Sequence, residues 1–175
     1  MPGFALLANP WWVNLLALVP VAPWLLARRA KLPIARKRLL LLALFGVAFG
    51  FVEAAVVVYL RAATGLYPAP QVQGPTALPM DLLRIECWRE AATMVMLGAI
   101  AWAAGQNFKA RAAVFLWVFA FWDFFYYVWL RVTIGWPGSL LDEDVLFLLP
   151  VPWMAQVWFP LLVSGLTAAA IWICT

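Results

Sequence analysis

Apolar residues run in five long stretches along the chain, at about 10–27, 39–60, 82–104, 112–134 and 152–174. Each approaches the twenty or so residues that a helix needs to cross the hydrocarbon of a bilayer. The pattern therefore predicts an all-α fold: a single transmembrane domain over residues 1–175, built as a bundle of five transmembrane helices. Asn9 is placed to cap the first helix and Pro10 suits its first turn, while Pro20 and Pro23 are expected to kink its far end. Pro152 is read the same way, as the first-turn proline of the fifth helix. Between the fourth and fifth spans, Gly135-Trp136-Pro137-Gly138 is a turn signal, and Ser139 with Asp142 three residues later resembles a helix N-cap with an acid in the first turn. The apolar run Val145 to Leu149 is too short to span. Residues 135–150 are thus expected to form an outer interfacial segment.

Composition agrees with this pattern. Apolar residues make up 67% of the 175-residue chain and charged residues 11%, against about 25% charged in a soluble domain. No soluble domain is expected. Met1 to Asn9 carries no basic residue and the first apolar run lacks a small-residue cleavage site, so this run is expected to stay in the protein.

Charge sets the orientation. Arg28, Arg29, Lys31, Arg36, Lys37 and Arg38 supply half of the 12 basic residues in one short connection, and Lys109 and Arg111 mark the turn between the third and fourth spans. All eight acids lie in the opposite half of the bundle, together with Arg61, Arg84, Arg89 and Arg131. Basic loops stay in the cytoplasm, so the expected topology is N-terminus out and C-terminus in, within the inner membrane of the cell. Orientation accounts for the basic loop in full, and no nucleic-acid partner is implied. Cys87 and Cys174 fall at opposite faces in this topology and cannot pair. Of the 12 tryptophans, Trp11, Trp12, Trp88, Trp136 and Trp153 fall near the outer interface, and Trp24 and Trp102 near the inner one, as an aromatic belt does.

A shift of 70 positions superposes the second span on the fourth. Phe45, Phe49 and Phe51 fall on Phe115, Phe119 and Phe121; Glu53 falls on Asp123; Leu60-Arg61 falls on Leu130-Arg131; and Gly65 falls on Gly135. Copies two spans apart cross in the same direction, so the pattern predicts a parallel internal repeat, the second and third spans on the fourth and fifth, related by an axis along the membrane normal.

The repeat sets Glu53 and Asp123 each eight residues before a terminal arginine, about 12 Å deep at the helical rise. On the third span Glu86, Glu90 and Thr93 share one face by the three-and-four spacing, with Arg89 beside it. Gly46 and Gly50 form a small-residue pair on the second span that turns Glu53 toward another helix. Ionisable groups at membrane depth face the bundle interior and find partners. One carboxylate-arginine cluster near the outer leaflet is therefore expected from Glu53, Arg61, Glu86, Arg89, Glu90, Asp123, Tyr127 and Arg131, as a substrate- or ion-binding site or as a network that fixes helix register.

Several activities are open to such a cluster. With no histidine in the chain, histidine-ligated haem or metal is excluded within it, and no other cofactor is implied. A hard-cation site would need carboxylates alone. The leading expectation is a small non-catalytic binding or assembly subunit of a larger membrane complex, with the lipid bilayer and a membrane-protein partner or further copies of the chain as its contacts. An intramembrane isomerase or cyclase would instead use Glu53, Asp123 or Glu90 as an acid on an apolar lipid or isoprenoid. A proton- or cation-linked transporter would use them as a relay.

Overall fold

The computed structural model describes residues 8–65 and 79–175; the uncharged Pro/Gly/Gln connection expected after the second span lies outside them. A 3-10 helix, Trp11–Val21, runs into a short helix α1, Ala22–Leu26. Three long helices follow, α2 over Arg36–Ala63, α3 over Met80–Ala104 and α4 over Phe108–Ile134. A two-stranded antiparallel sheet, β1 (Glu143–Phe147) with β2 (Trp153–Gln156), precedes α5, Trp158–Cys174. Of the described helices, α2 and α4 are long and apolar enough to cross a membrane.

α4 is the centre of the molecule, with α2, α3 and α5 packed around it. Close approach of α2 and α4 depends on glycine. A Cβ on Gly46 would lie 2.7 Å from Phe121 Cβ, and one on Gly50 would lie 2.9 Å from the Trp122 carbonyl oxygen. The indoles of Trp117 and Trp129 donate to the Leu39 and Val47 carbonyls at 2.8 and 2.9 Å, so residue numbers rise together along the pair and the two helices are parallel. α3 runs antiparallel to α2: Arg38 donates to the Ala104 carbonyl at one end, while Glu53 meets Arg89 and Thr93 further along. α5 is antiparallel to α4, with Asp123 bonded to Ser164 and Trp117 stacked on Trp172.

The basic end is held by charge on carbonyls and rings. Arg38 donates to Ala104 O at 3.0 Å and Arg111 to Gly105 O at 3.1 Å, where exposed carbonyls at the end of α3 favour a cation. Arg111 also stacks on Trp102, and Arg36 lies over Trp172. Asn107 caps α4 by accepting from Ala110 N at 3.0 Å. The cap starts the helix at Phe108 rather than near 112 and puts Lys109 and Arg111 inside its first turns.

The outer segment departs from expectation, and with it the all-α fold. Ser139 and Asp142 start no helix: Asp142 Oδ2 accepts from the backbone of Gly138 and Ser139 at 2.7 and 3.1 Å, closing a tight turn on itself. The next residues extend into β1. Val145 belongs to this strand, and the region expected as the start of the fifth helix after Pro152 is β2, so α5 begins only at Trp158. Asn9 caps nothing either. Preceding a proline it stays extended, and its backbone pairs in both directions with Met154 at 2.8 and 2.7 Å. Asn14 instead ties down the first helix, bonding both Ala8 and Trp11.

Candidate functional site

The charged residues of α2 and α3 meet below the hairpin. Glu53, 4% exposed, forms an ion pair with Arg89 and accepts from Thr93 Oγ1 at 3.1 Å. Arg89 reaches back to Glu86 at 2.9 Å, three residues earlier on its own helix. Two carboxylates thus share one guanidinium. The geometry follows from the three-and-four spacing on α3, which stacks Glu86, Glu90 and Thr93 on its buried face.

Glu90 extends that face and makes no ion pair among the described residues. Its Oε2 accepts from the backbone N–H of Leu148 at 2.8 Å, so α3 holds the hairpin by a carboxyl acceptor. Asp123 on α4 accepts from Ser164 Oγ of α5 at 2.7 Å. Asp144, on β1 and 5% exposed, accepts from the Tyr127 hydroxyl at 2.9 Å. Burial pushes the Asp144 carboxyl up to about 6, an effect that the Tyr127 hydroxyl and the charge of Arg61 oppose.

These groups line a small polar chamber of about 60 Å³, whose wall includes Glu53, Arg89, Glu90, Asp123, Tyr127 and Asp144. A second cavity of about 270 Å³ adjoins it between α4, α5 and the 3-10 helix, walled mostly by apolar side chains such as Leu16, Phe119 and Val163. Trp122, Asp123, Leu146 and Phe147 belong to both walls. Asp123 therefore stands where a polar space meets an apolar one. Trp122 stands beside it, and its indole N–H has no hydrogen-bond partner among the described residues; nor has that of Trp153 on the apolar cavity.

Of the eight residues expected to cluster, Glu53, Arg89, Glu90, Asp123 and Tyr127 line the chamber, and Glu86 joins it through Arg89. Arg61 lies over the Trp136 ring at 5.0 Å. Arg131 is elsewhere, donating to the carbonyls of Gly135 and Pro137 at the end of its own helix, so the matching positions of the two arginines do different work. Asp144 and Ser164 were not foreseen. The signal for Asp144 lies in the two apolar runs flanking Pro150-Val151-Pro152, a hairpin pattern that would place one of the acids at 142–144 on an inward face. Among the described residues no three carboxylates or thiols converge as metal ligands. In comparisons with family models, with curated proteins and with solved structures, nothing matches this chain.

Proposed function

We propose that the chain is a five-span protein of the cytoplasmic membrane, N-terminus out and C-terminus in, with a non-catalytic binding role. Its paired cavities would hold a membrane-dissolved amphiphile, in association with a membrane-protein partner or further copies of itself. Lengths support the five spans. At about 2.0 Å per residue the 11-residue 3-10 helix rises about 22 Å, and the five residues of α1 add about 7 Å, close to the roughly 30 Å of bilayer hydrocarbon. α3 is long enough, with Glu86 and Glu90 on its buried face and its exposed charges, Asp81 and Arg84, confined to its first turns. The alternating directions of α2, α3, α4 and α5, with the basic residues at one end, support the orientation.

Two further coincidences support the duplication. Glu53 takes a hydroxyl 40 residues later and Asp123 one 41 residues later, in both cases from the following helix. Gly65 and Gly135 end their helices with φ of 71° and 72°, a left-handed conformation that glycine adopts without steric cost.

The observation that carries the binding role is the shared wall at Trp122 and Asp123, which gives one ligand a polar and an apolar compartment. Binding of single-chain amphiphiles to the purified full chain, followed by calorimetry, tests it. Ala120→Leu, which puts bulk into the apolar cavity, should abolish binding that wild type shows; equal binding by both would overturn the assignment. A second reading, acid catalysis on an isoprenoid-like substrate, rests on the same Asp123 carboxyl. Ligand recovered unchanged supports a binder, and ligand converted supports an enzyme. For topology, an impermeant thiol reagent on intact cells should label Ser139→Cys and spare Ala35→Cys in a chain without native cysteines, and the reverse pattern would overturn the orientation.

A further inference from the structure

The turn that follows α4 closes a groove on the side of the molecule. Phe124, Val128 and Arg131 recur at spacings of four and three along one face of α4 and form its floor. Leu161 of α5 and Leu140 of the turn complete the wall. The groove holds about 360 Å³, within the roughly 300–1,000 Å³ of small-molecule sites. From Phe124 to Arg131 it follows the helix for about 10 Å at the helical rise, and so runs from the depth of Asp123 to the outer end of α4. The turn is fastened to the start of α5, because the N–H groups of Val157 and Trp158 donate to the Asp142 and Leu140 carbonyls, each at 2.9 Å.

Arg131 stands at the outer end of this groove, exposed and without an ion pair among the described residues. Its Nη1 donates to the carbonyls of Gly135 and Pro137. Those two bonds use both hydrogens of Nη1, fix the guanidinium over the end of α4 and cover carbonyls that would repel an anion there. Its remaining donors are on Nε and Nη2, the edge of a guanidinium that meets two oxygens of a phosphate in parallel. Ser139, also on the wall, accepts from the Leu141 N–H at 3.1 Å, which leaves its own hydroxyl hydrogen to donate. Asp142, the acid of the turn, directs Oδ2 onto the N–H groups of Gly138 and Ser139. The groove thus joins a fixed, unpaired cation to an apolar channel.

We propose that it seats a phospholipid of the outer leaflet that carries a phosphodiester and no cation of its own, the chemistry of phosphatidylglycerol. The phosphate meets Arg131 and Ser139, and one acyl chain lies along Phe124, Val128 and Leu161. A free phosphate would leave the apolar wall bare, and a zwitterionic head would bring a second cation beside the guanidinium. Any arginine at an interface attracts anionic lipid by charge alone; a fixed guanidinium above a groove adds a seat for one chain. The site rests on the membrane orientation proposed above and is independent of what the paired cavities hold.

Calorimetric titration of the full chain in neutral maltoside micelles tests it, with dioctanoyl-phosphatidylglycerol and dioctanoyl-phosphatidylcholine as probes. The two share chains and phosphate and differ in net charge. Phosphatidylglycerol should bind at least about fivefold more tightly, the factor expected of one arginine on an anionic head. Arg131→Gln should erase that preference and leave phosphatidylcholine within about twofold. Arg84→Gln, which removes an exposed arginine from the first turns of α3, should change neither. Where Arg131→Gln does not fold, as judged by its thermal transition, Val132→Trp carries the test. Val132 lines the groove and is 69% exposed, so bulk there narrows the groove without displacing the core, and it should weaken phosphatidylglycerol by a similar factor. Equal binding of the two lipids by wild type, equal losses from Arg84→Gln and Arg131→Gln, or unchanged binding by Val132→Trp would overturn the site. Displacement of the lipid by excess inorganic phosphate would overturn the lipid as its occupant. The thiol labelling above reads the orientation separately, so failure of the groove and failure of the topology are told apart.

Discussion

Glu53 and Asp123 occupy matching positions on two parallel helices, yet their surroundings differ in kind. Glu53 has a cation and a hydroxyl and borders the polar chamber alone; Asp123 has one hydroxyl and borders both cavities. The 70-residue repeat predicts that neutralising either acid has the same effect. The surroundings argue for unequal effects, because position 89 on α3 is arginine whereas position 159 on α5, 70 residues later, is phenylalanine. Two helices with matching acids thus use one to fasten a neighbouring helix and leave the other at the wall of two cavities.

The largest effect that should separate the two acids is on stability. Glu53→Gln takes one of two carboxylates from Arg89, which is partly exposed and keeps Glu86, so the loss should lie at the low end of the about 3–5 kcal/mol for a buried pair broken from one side. The loss should appear in titrations of helical content with sodium dodecyl sulfate, and adding Arg89→Met together with Glu86→Gln, which removes every charge of the triad, should recover much of it. If the triple variant is as unstable as the single one, the ion pair is not what Glu53 contributes. Asp123→Asn should cost far less, because it keeps an acceptor for Ser164 and strands no cation.

A second effect is on pH dependence and comes from Asp144, the acid that the hairpin adds beside Asp123. Its carboxyl is raised from 3.8 to about 6 by burial, so between about pH 4 and 6 the folded chain holds a proton that the unfolded chain has lost. Stability therefore falls as pH rises through that window and is level above it, by about 3 kcal/mol at 1.36 kcal/mol per pKa unit. Tyr127 and Asp123 from α4 and Arg61 from α2 act on this group, and other buried carboxyls share the chamber. The contribution of Asp144 is therefore the difference between wild type and Asp144→Asn. That difference should favour wild type toward pH 4 and shrink toward pH 6; a difference flat across the window would count against the buried carboxyl.

How much of this was legible without coordinates follows the physics of each element. Glu53, Glu86, Arg89, Glu90, Asp123 and Tyr127 were foreseen because helical spacing and the cost of burying charge act locally, along one helix and at one depth. Gly46 and Gly50 likewise announced the α2–α4 contact. Asp144 escaped because a short hairpin is defined by pairing between strands, and the turn formers at 137–142 imitate a helix start. Arg131 was misplaced for the opposite reason. Its local sequence matches Arg61, but Gly135 and Pro137 leave free carbonyls within its reach, and a nearby acceptor takes precedence over a distant acid.

The smallest predicted effect tests the hydroxyls that the repeat places in parallel. Thr93→Val removes one of two partners from Glu53, which keeps the Arg89 ion pair. Ser164→Ala removes the single donor that Asp123 has among the described residues. A typical intramolecular hydrogen bond contributes about 1 kcal/mol, and stranding a buried acceptor costs about 1–3 kcal/mol. Ser164→Ala should therefore destabilise more than Thr93→Val by about 1 kcal/mol, although the bond it removes, at 2.7 Å against 3.1 Å, differs little in kind. Equal penalties in the absence of ligand would mean that Asp123 is as well satisfied as Glu53. The contrast between a fastening acid and a cavity-facing one would then be lost.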